Sequence, residues 1–351
     1  MDDRKRTFRF GVVGEGIGSG PDLVATARRA QELGYDTLLL RDHFVAAPFG
    51  DQLAPMVALM AAAAATRTLR VGTLVLDNDY RHPVLLAKEA ASLDLLSGGR
   101  FELGIGAGWA RDEYERAGMA FDPPGIRVDR LEEAVRVLKG LFAGSVLTFA
   151  GHHYSVTELQ SFPMPVQRPH PPILIGAGSR RMLSIAGREA DIVGILPRAL
   201  PDGTISEDLQ ERSPAAIAQK VEWVRQAAGD RFGQVELSAM VSVVVADDHR
   251  KAAEQLAVER GWGSEAAVPI LEMPSILVGS VERIADELQA RRDPLPPVLL
   301  RRLRRGHGSL RIRRRPPHRH LTHPSCPSLR SCRVWAGQLE DGGFQASAGR
   351  R

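Results

Sequence analysis

The stretch that decides the fold is Gly99-Arg100-Phe101-Glu102-Leu103-Gly104-Ile105-Gly106-Ala107-Gly108-Trp109-Ala110-Arg111-Asp112-Glu113-Tyr114. Residues 101–105 are mainly apolar, with β-branched and aromatic members, which is typical of a strand buried in a parallel sheet. The glycines at 104, 106 and 108 leave backbone amides uncovered where this strand ends. Ligands bind at that end of the strands in α/β barrels and open α/β sheets. The glycines therefore either face a flat ring or an anionic group, or form a tight turn that binds nothing.

Strands and helices alternate on both sides of this stretch. Apolar runs bounded by turn residues predict seven strands before residue 292. They are Phe8–Gly14, Thr37–Leu40, Leu69–Leu76, Phe101–Ile105, Ile173–Ile175, Asp191–Leu196 and Val235–Ala246. Helical patterns lie between most of them, and Val146–Val156 is predicted to be an inserted β-hairpin. The alternation predicts an α/β protein with a parallel sheet, and the eighth strand that closes a barrel is due directly after Arg292.

The composition excludes several classes of protein. No apolar run reaches the length of a membrane span, and the residues after Met1 do not resemble a signal peptide. We therefore expect a cytoplasmic protein that has no membrane partner. Both cysteines, Cys326 and Cys332, lie near the end of the chain. Residues 1–292 consequently need no disulfide and offer no thiol ligand, and no metal site is predicted.

The residues after 292 differ from the rest of the chain. Residues 291–351 contain 15 arginines and three acidic residues, which accounts for the overall net charge of +4. In a GC-rich gene, the codons of Leu299-Leu300-Arg301-Arg302 can be read one nucleotide later. The shifted codons permit Tyr-Tyr-Val-Val, a sequence that is typical of a strand. We therefore predict a barrel domain over 1–292 that lacks a proper eighth strand, and a disordered, aberrant Arg/Pro/His-rich tail over 293–351 that is a frameshift product. The alternative is a non-catalytic barrel whose basic tail binds nucleic acid, although we expect no nucleic-acid partner.

Six motifs occur in a fixed order between the first strand and residue 290. They are Arg41-Asp42-His43-Phe44, Tyr80-Arg81-His82-Pro83, Leu93-Asp94-Leu95-Leu96-Ser97-Gly98-Gly99-Arg100, Gly104-Ile105-Gly106-Ala107-Gly108-Trp109, Pro172-Ile173-Leu174-Ile175-Gly176-Ala177-Gly178-Ser179 and Val278-Gly279-Ser280. Through them the chain resembles the luciferase-like family of flavin- and deazaflavin-dependent oxidoreductases, in its coenzyme F420 branch. The resemblance implies a (β/α)₈ TIM-type barrel with an inserted β-hairpin, a redox ring at the carboxyl ends of the strands, and a homodimer.

His43 is the candidate catalytic residue. A histidine directly after the second strand faces the barrel mouth, and its reference pKa of about 6.5 suits proton exchange near neutral pH. The resemblance implies that this histidine lies beside the deazaflavin ring. The alternative is a histidine that hydrogen-bonds Asp42 or a backbone carbonyl for packing. His82, which precedes a helix proline, is interpreted as an entry-turn residue.

A phosphate-binding turn is predicted at the start of the helix after the fifth strand. Backbone amides at a helix N-terminus, together with the Ser179 hydroxyl and the Arg180 guanidinium, can hold a phosphate. The alternative is an ordinary helix cap in which Ser179 is the N-cap residue. The predicted cofactor-binding residues of this turn are Gly176, Ala177, Gly178, Ser179 and Arg180.

Further cofactor contacts follow from the resemblance. Thr73 and Leu74 match a bulge behind the ring that sometimes contains a non-proline cis peptide, and Asn78 either bonds the ring edge or forms a turn. The full set of implied ring contacts is Asp42, Thr73, Leu74, Asn78, Gly106, Ala107 and Gly108.

Trp109 differs from the residue that part of the family has at this position. Some sugar-phosphate dehydrogenases have a glutamate proton donor at this position, so dehydrogenation by that mechanism is disfavoured here. The tryptophan either shapes an apolar substrate pocket or packs as core. We therefore predict hydride transfer between F420 and a small organic substrate, with reduction of an activated C=C or C=O bond and His43 as proton donor. An FMN-dependent luciferase-like monooxygenase is the alternative.

Overall fold

A parallel sheet flanked by helices forms the body of the protein. The computed structural model describes residues 8–292, 298–303, 309–312 and 334–337. Its strands are β1 (Arg9–Gly14), β2 (Thr37–Leu40), β3 (Arg70–Thr73), β4 (Leu76–Asp77), β5 (Phe101–Gly106), β6 (Leu147–Ala150), β7 (Ser155–Leu159), β8 (Ile173–Ala177), β9 (Ile192–Ile195), β10 (Glu236–Val245), β11 (Ile276–Gly279), β12 (Val298–Leu303), β13 (Ser309–Ile312) and β14 (Val334–Gly337). All seven strands predicted before residue 292 are present, within a few residues of their predicted ends.

The helices begin where the sequence has capping signals. Five of them have proline in the first turn, where the missing amide costs no hydrogen bond. The α-helices are α1 (Gly20–Glu32), α2 (Pro55–Ala64), α3 (Pro83–Leu96), α4 (Arg111–Arg116), α5 (Pro124–Phe142), α6 (Arg180–Glu189), α7 (Pro214–Ala228), α8 (His249–Glu259), α9 (Ala267–Glu272) and α10 (Val281–Arg292). Sequence analysis did not predict α4, α9 or β11, which are six, six and four residues long.

The parallel strands pair in a closed cycle. The order is β1, β2, β3, β5, β8, β9, β10, β12 and back to β1, with β4 continuing β3 along β5. The second half of β10 also pairs with β11. The main core lies between these strands and the helices around them. The predicted α/β fold of the TIM-barrel type is confirmed, and all carboxyl ends of the cycle point to one side.

The prediction of a barrel without a proper eighth strand is wrong for the backbone. Val298–Leu303 forms β12, which pairs in parallel with β1 from Arg9↔Leu299 to Val13↔Leu303. On its other side it pairs with β10. The physical reason is that Pro296 and Pro297 precede the strand, so they remove no ladder hydrogen bond from it.

The rest of the tail is described only in part. Segments β13 and β14 pair as antiparallel strands. The remaining residues beyond 292, and with them the predictions of disorder and of nucleic-acid binding, lie outside the described residues. A reading-frame change stays a prediction.

The inserted hairpin is present as predicted, with β6 and β7 antiparallel. Its turn is held by the Glu133 carboxylate, which accepts hydrogen bonds from the amides of His152 and His153, both at 2.8 Å. The described helices include none that combines the length and apolar character needed to cross a bilayer.

Candidate functional site

His43 lies at the carboxyl end of β2, as the sequence predicts. Its side chain is 11% exposed, and Nδ1 lies 3.0 Å from Oε1 and 3.2 Å from Oε2 of Glu113. Among the described residues none forms a hydrogen bond with Nε2 of His43. The imidazole is therefore anchored on one nitrogen and has the other available for a substrate.

Sequence analysis missed Glu113, which is the hydrogen-bond partner of His43 in the candidate site. It lies in α4 and its side chain is 2% exposed. It also accepts hydrogen bonds from the Tyr80 hydroxyl at 3.0 Å and from the Val45 amide at 3.4 Å. Burial by itself would raise the pKa of Glu113, but the hydrogen bonds from His43, Tyr80 and Val45 bring it below its ordinary value. The group that faces His43 is thus a carboxylate at neutral pH.

Aromatic rings enclose His43. The Phe49 ring lies 4.9 Å from the imidazole at 31°, and the Trp109 ring lies 5.8 Å away nearly edge-on. The Arg41 guanidinium lies over the Phe49 ring, 4.0 Å from its centroid, and is paired with Glu15 at 2.7 Å. Two aromatic rings therefore lie against the imidazole at the mouth.

Three of the predicted ring contacts use their polar side chains elsewhere. Asp42 accepts a hydrogen bond from Arg81 at 2.9 Å. The Thr73 hydroxyl donates to the Gly104 carbonyl at 2.7 Å and accepts from the Gly104 amide at 2.8 Å. Asn78 donates to the Tyr154 hydroxyl at 3.2 Å. These side chains bind neighbouring residues of the protein, and their contact with a cofactor ring stays a prediction.

The bulge behind the predicted ring position is present. The Leu74–Val75 peptide is cis, and the bulge separates β3 from β4. A Cβ atom at Gly106 would lie 2.8 Å from Val75 Cγ2, and one at Gly176 would lie 3.5 Å from Val75 Cγ1. Val75 therefore lies against the carboxyl ends of β5 and β8, which face the same side of the sheet.

Close packing requires glycine at position 108, directly after β5. Gly108 has φ +72°, and a Cβ atom there would lie 2.4 Å from Asp77 Oδ2. Arg127 donates to the carbonyl of Ala107 at 3.2 Å and also to that of Gly108. The tight-turn interpretation therefore explains Gly108, whereas Gly104 and Gly106 lie within β5, and a ring contact of this motif stays a prediction.

A buried carboxyl lies behind the glycine turn. The Tyr114 hydroxyl donates to both oxygens of Asp77 at 2.8 Å. Burial raises the pKa of Asp77 to about 7, and the hydrogen bonds from the Asp79 amide and Tyr114 only partly offset this. Asp77 is therefore partly protonated near neutral pH.

The turn between β8 and α6 has open backbone amides. Ser179 is the N-cap residue and accepts from the Met182 amide at 3.4 Å, while phosphate binding by this turn stays a prediction. The first-turn amides of Arg180 and Arg181 have no partner within the helix. Arg180 is exposed, and a Cβ atom at Gly178 would lie 2.3 Å from the Pro197 carbonyl oxygen. This turn can accept an anionic group while its backbone stays fixed.

A loop from the end of β9 braces Trp109. Arg111 donates to the carbonyls of Pro201 at 3.0 Å and Asp202 at 3.1 Å. A Cβ atom at Gly203 would lie 3.1 Å from the Trp109 carbonyl oxygen. This loop therefore packs against the backbone of Trp109 and is bonded to the Arg111 side chain two residues later.

Comparison with known proteins gives a matching family, related sequences and solved structures of similar fold. Residues 7–295 match the family described as luciferase-like monooxygenase. The F420-dependent glucose-6-phosphate dehydrogenase of Amycolatopsis mediterranei is 29% identical over 273 residues, 77% of this chain and 78% of that protein. The FMNH2-dependent dimethylsulfone monooxygenase of Pseudomonas putida is 32% identical over 166 residues, 47% of this chain and 46% of that protein. The solved coenzyme F420-dependent tetrahydromethanopterin reductase of Methanopyrus kandleri has a TM-score of 0.65 at 17% identity, covering 84% of this chain and 93% of that one.

Proposed function

The chain belongs to the luciferase-like monooxygenase family, and on that premise we propose that it transfers a hydride between coenzyme F420 and a small organic substrate, reducing an activated C=C or C=O bond. The cofactors of its relatives are F420 or FMN. The observation that carries the proposal is the buried His43–Glu113 pair, which opens on the same side of the sheet as the free amides of α6.

The residues at the mouth suit a phosphate-bearing deazaflavin. The amides of Arg180 and Arg181 and the exposed Arg180 side chain provide hydrogen-bond donors for an anionic group. Gly106 and Gly176, near the carboxyl ends of β5 and β8, both lie close to Val75, and we place the planar ring on the mouth side of that side chain. When bound, F420 would supply the hydride.

His43 is proposed to supply the matching proton. Nδ1 is fixed by Glu113, so Nε2 is the nitrogen that reaches a substrate atom. The Glu113 carboxylate stabilises the protonated imidazole by a charge-assisted hydrogen bond and sets the orientation of its ring. Phe49 and Trp109 limit the water around the imidazole, which strengthens this pairing.

Cofactor binding tests the proposal directly. The purified chain is titrated with F420 and, separately, with FMN, and binding is followed by the absorbance and fluorescence of each cofactor. We expect F420 to bind more tightly, and Arg180→Ala to weaken its binding by about 10-fold, as loss of a charge-assisted contact to phosphate predicts. Arg181→Ala is the matched control because that side chain pairs with Asp129. Tighter binding of FMN would favour the monooxygenase alternative, which the Pseudomonas putida relative supports.

We also propose that the chain forms a homodimer through α2 and α3. Both helices expose large apolar side chains, Val57 in α2 and Leu85, Leu95 and Leu96 in α3. Such surfaces typically mark protein interfaces. Sedimentation of a Val57→Glu/Leu85→Glu variant should give a monomer, whereas Val258→Glu, an equally exposed position in α8, should not change the mass.

A further inference from the structure

Within the part of the chain that the structure describes, the charged side chains that contact His43 or lie beside its aromatic neighbours are already paired. Glu113 is occupied by His43 and Tyr80, and Glu15 is occupied by Arg41. These acidic and basic side chains are buried or nearly so. A sugar phosphate placed beside Nε2 would therefore find its polar partners already used in the protein.

The surface that remains beside the imidazole is aromatic. The Phe49 and Trp109 rings both lie against His43, and Phe44, which is 57% exposed, stacks on Tyr80 with ring centroids 4.3 Å apart. Aromatic walls with one polar group at their centre favour flat, apolar ligands.

This wall is fixed in advance of binding. The Trp109 carbonyl accepts the Arg111 amide at 3.0 Å, and Arg111 in turn holds the loop at Pro201 and Asp202. Gly203, with φ +90°, packs directly against Arg111. Because these contacts immobilise the backbone of Trp109, a ligand that stacks on it does not have to order the loop.

From these observations we propose that the substrate is a neutral, planar α,β-unsaturated carbonyl compound that packs on Trp109 and Phe49. This inference rests on the proposed function, which supplies reduced F420 as the electron donor. The hydride forms a C–H bond at the β carbon while the C=C π bond breaks, and the proton on Nε2 of His43 forms the second C–H bond at the α carbon. The substrate gains two electrons and two hydrogens, reduced F420 is oxidised, and His43 regains its proton from solvent.

Calorimetric titration of the full chain tests the substrate class without turnover. The chain is loaded with oxidised F420 and titrated with 4-phenyl-3-buten-2-one and, separately, with glucose 6-phosphate. We expect the enone to bind and the sugar phosphate to bind more weakly. Trp109→Leu should weaken enone binding by about 10-fold, since stacking and apolar burial are lost. Trp223→Leu, which removes an indole from α7, is the matched control and should leave the enone affinity within about twofold of wild type, because that ring packs on the main core.

Two results would overturn the proposal: tighter binding of glucose 6-phosphate than of the enone, or unchanged enone binding in Trp109→Leu. Phe49→Leu provides a second variant if Trp109→Leu does not fold, and the same loss is expected from it. Titrations repeated without cofactor separate the two hypotheses. A chain that binds the enone but not F420 contradicts the proposed function alone, and a chain that binds F420 but not the enone contradicts only the substrate class.

Discussion

Replacing Glu113 with glutamine removes the charge that faces His43 while keeping the size of the side chain. The contact is 3.0 Å long and lies where the Glu113 side chain is 2% exposed, so water does not replace it. A hydrogen bond to a charged group contributes about 1.5–3 kcal/mol. Since about 1.4 kcal/mol corresponds to a factor of ten, we expect kcat/KM to fall about 10- to 100-fold.

The split between kcat and KM separates a positioning role from a merely structural one. Without the carboxylate the imidazole loses the hydrogen-bond partner that orients its ring, so kcat of Glu113→Gln should fall while KM for the enone stays within about twofold of wild type. The assay follows F420 oxidation against enone concentration. Glu115→Gln is the matched control, because Glu115 lies on the same helix with a 62% exposed side chain. An unchanged kcat in Glu113→Gln would refute the reasoning.

Three further predictions concern stability. The folded pKa of Asp77 is about 7 against an ordinary 3.8, so the protonated carboxyl favours the folded state. The free energy of unfolding of the wild type should therefore fall by up to about 4 kcal/mol between pH 4 and 7, relative to Asp77→Asn. Urea unfolding that gives both proteins the same change between these pH values would contradict this. Gly178→Ala places a methyl group 2.3 Å from the Pro197 oxygen, and should lower the unfolding free energy by about 1–3 kcal/mol and weaken F420 binding. Replacing Arg301 and Arg302 by valine in β12 should raise the melting temperature, because a strand between two others favours β-branched apolar residues; a lower melting temperature would argue against a shifted reading frame.

The general plan of the barrel could be predicted because it depends on local patterns. Thr37–Leu40 combines a β-branched residue with three leucines, and it forms β2 at those bounds. The position of His43 follows from it, since a residue just after a parallel strand must lie at the mouth. The Ser179 cap is equally local.

The partners of the site residues could not be predicted in the same way. Glu113 reaches His43 only because α4 folds back over the mouth, and α4 is too short to give a helical period. Asp42 and Thr73 are polar residues at predicted ligand positions, but their hydrogen bonds go to Arg81 and Gly104, which are distant in sequence. Such pairings depend on the register of neighbouring strands, which local sequence patterns do not determine.

The position of β12 has a consequence for how the chain is made. β1 pairs with residues about 290 positions later, so its free edge stays uncovered until nearly the whole polypeptide has left the ribosome. Contacts of such large sequence separation slow folding and prolong the exposure of strand edges. The first strand of the cycle therefore stays unpaired on one edge until β12 has been synthesised. A substitution near residue 298 that weakens β12 would prolong the exposure of that edge of β1 in the nascent protein.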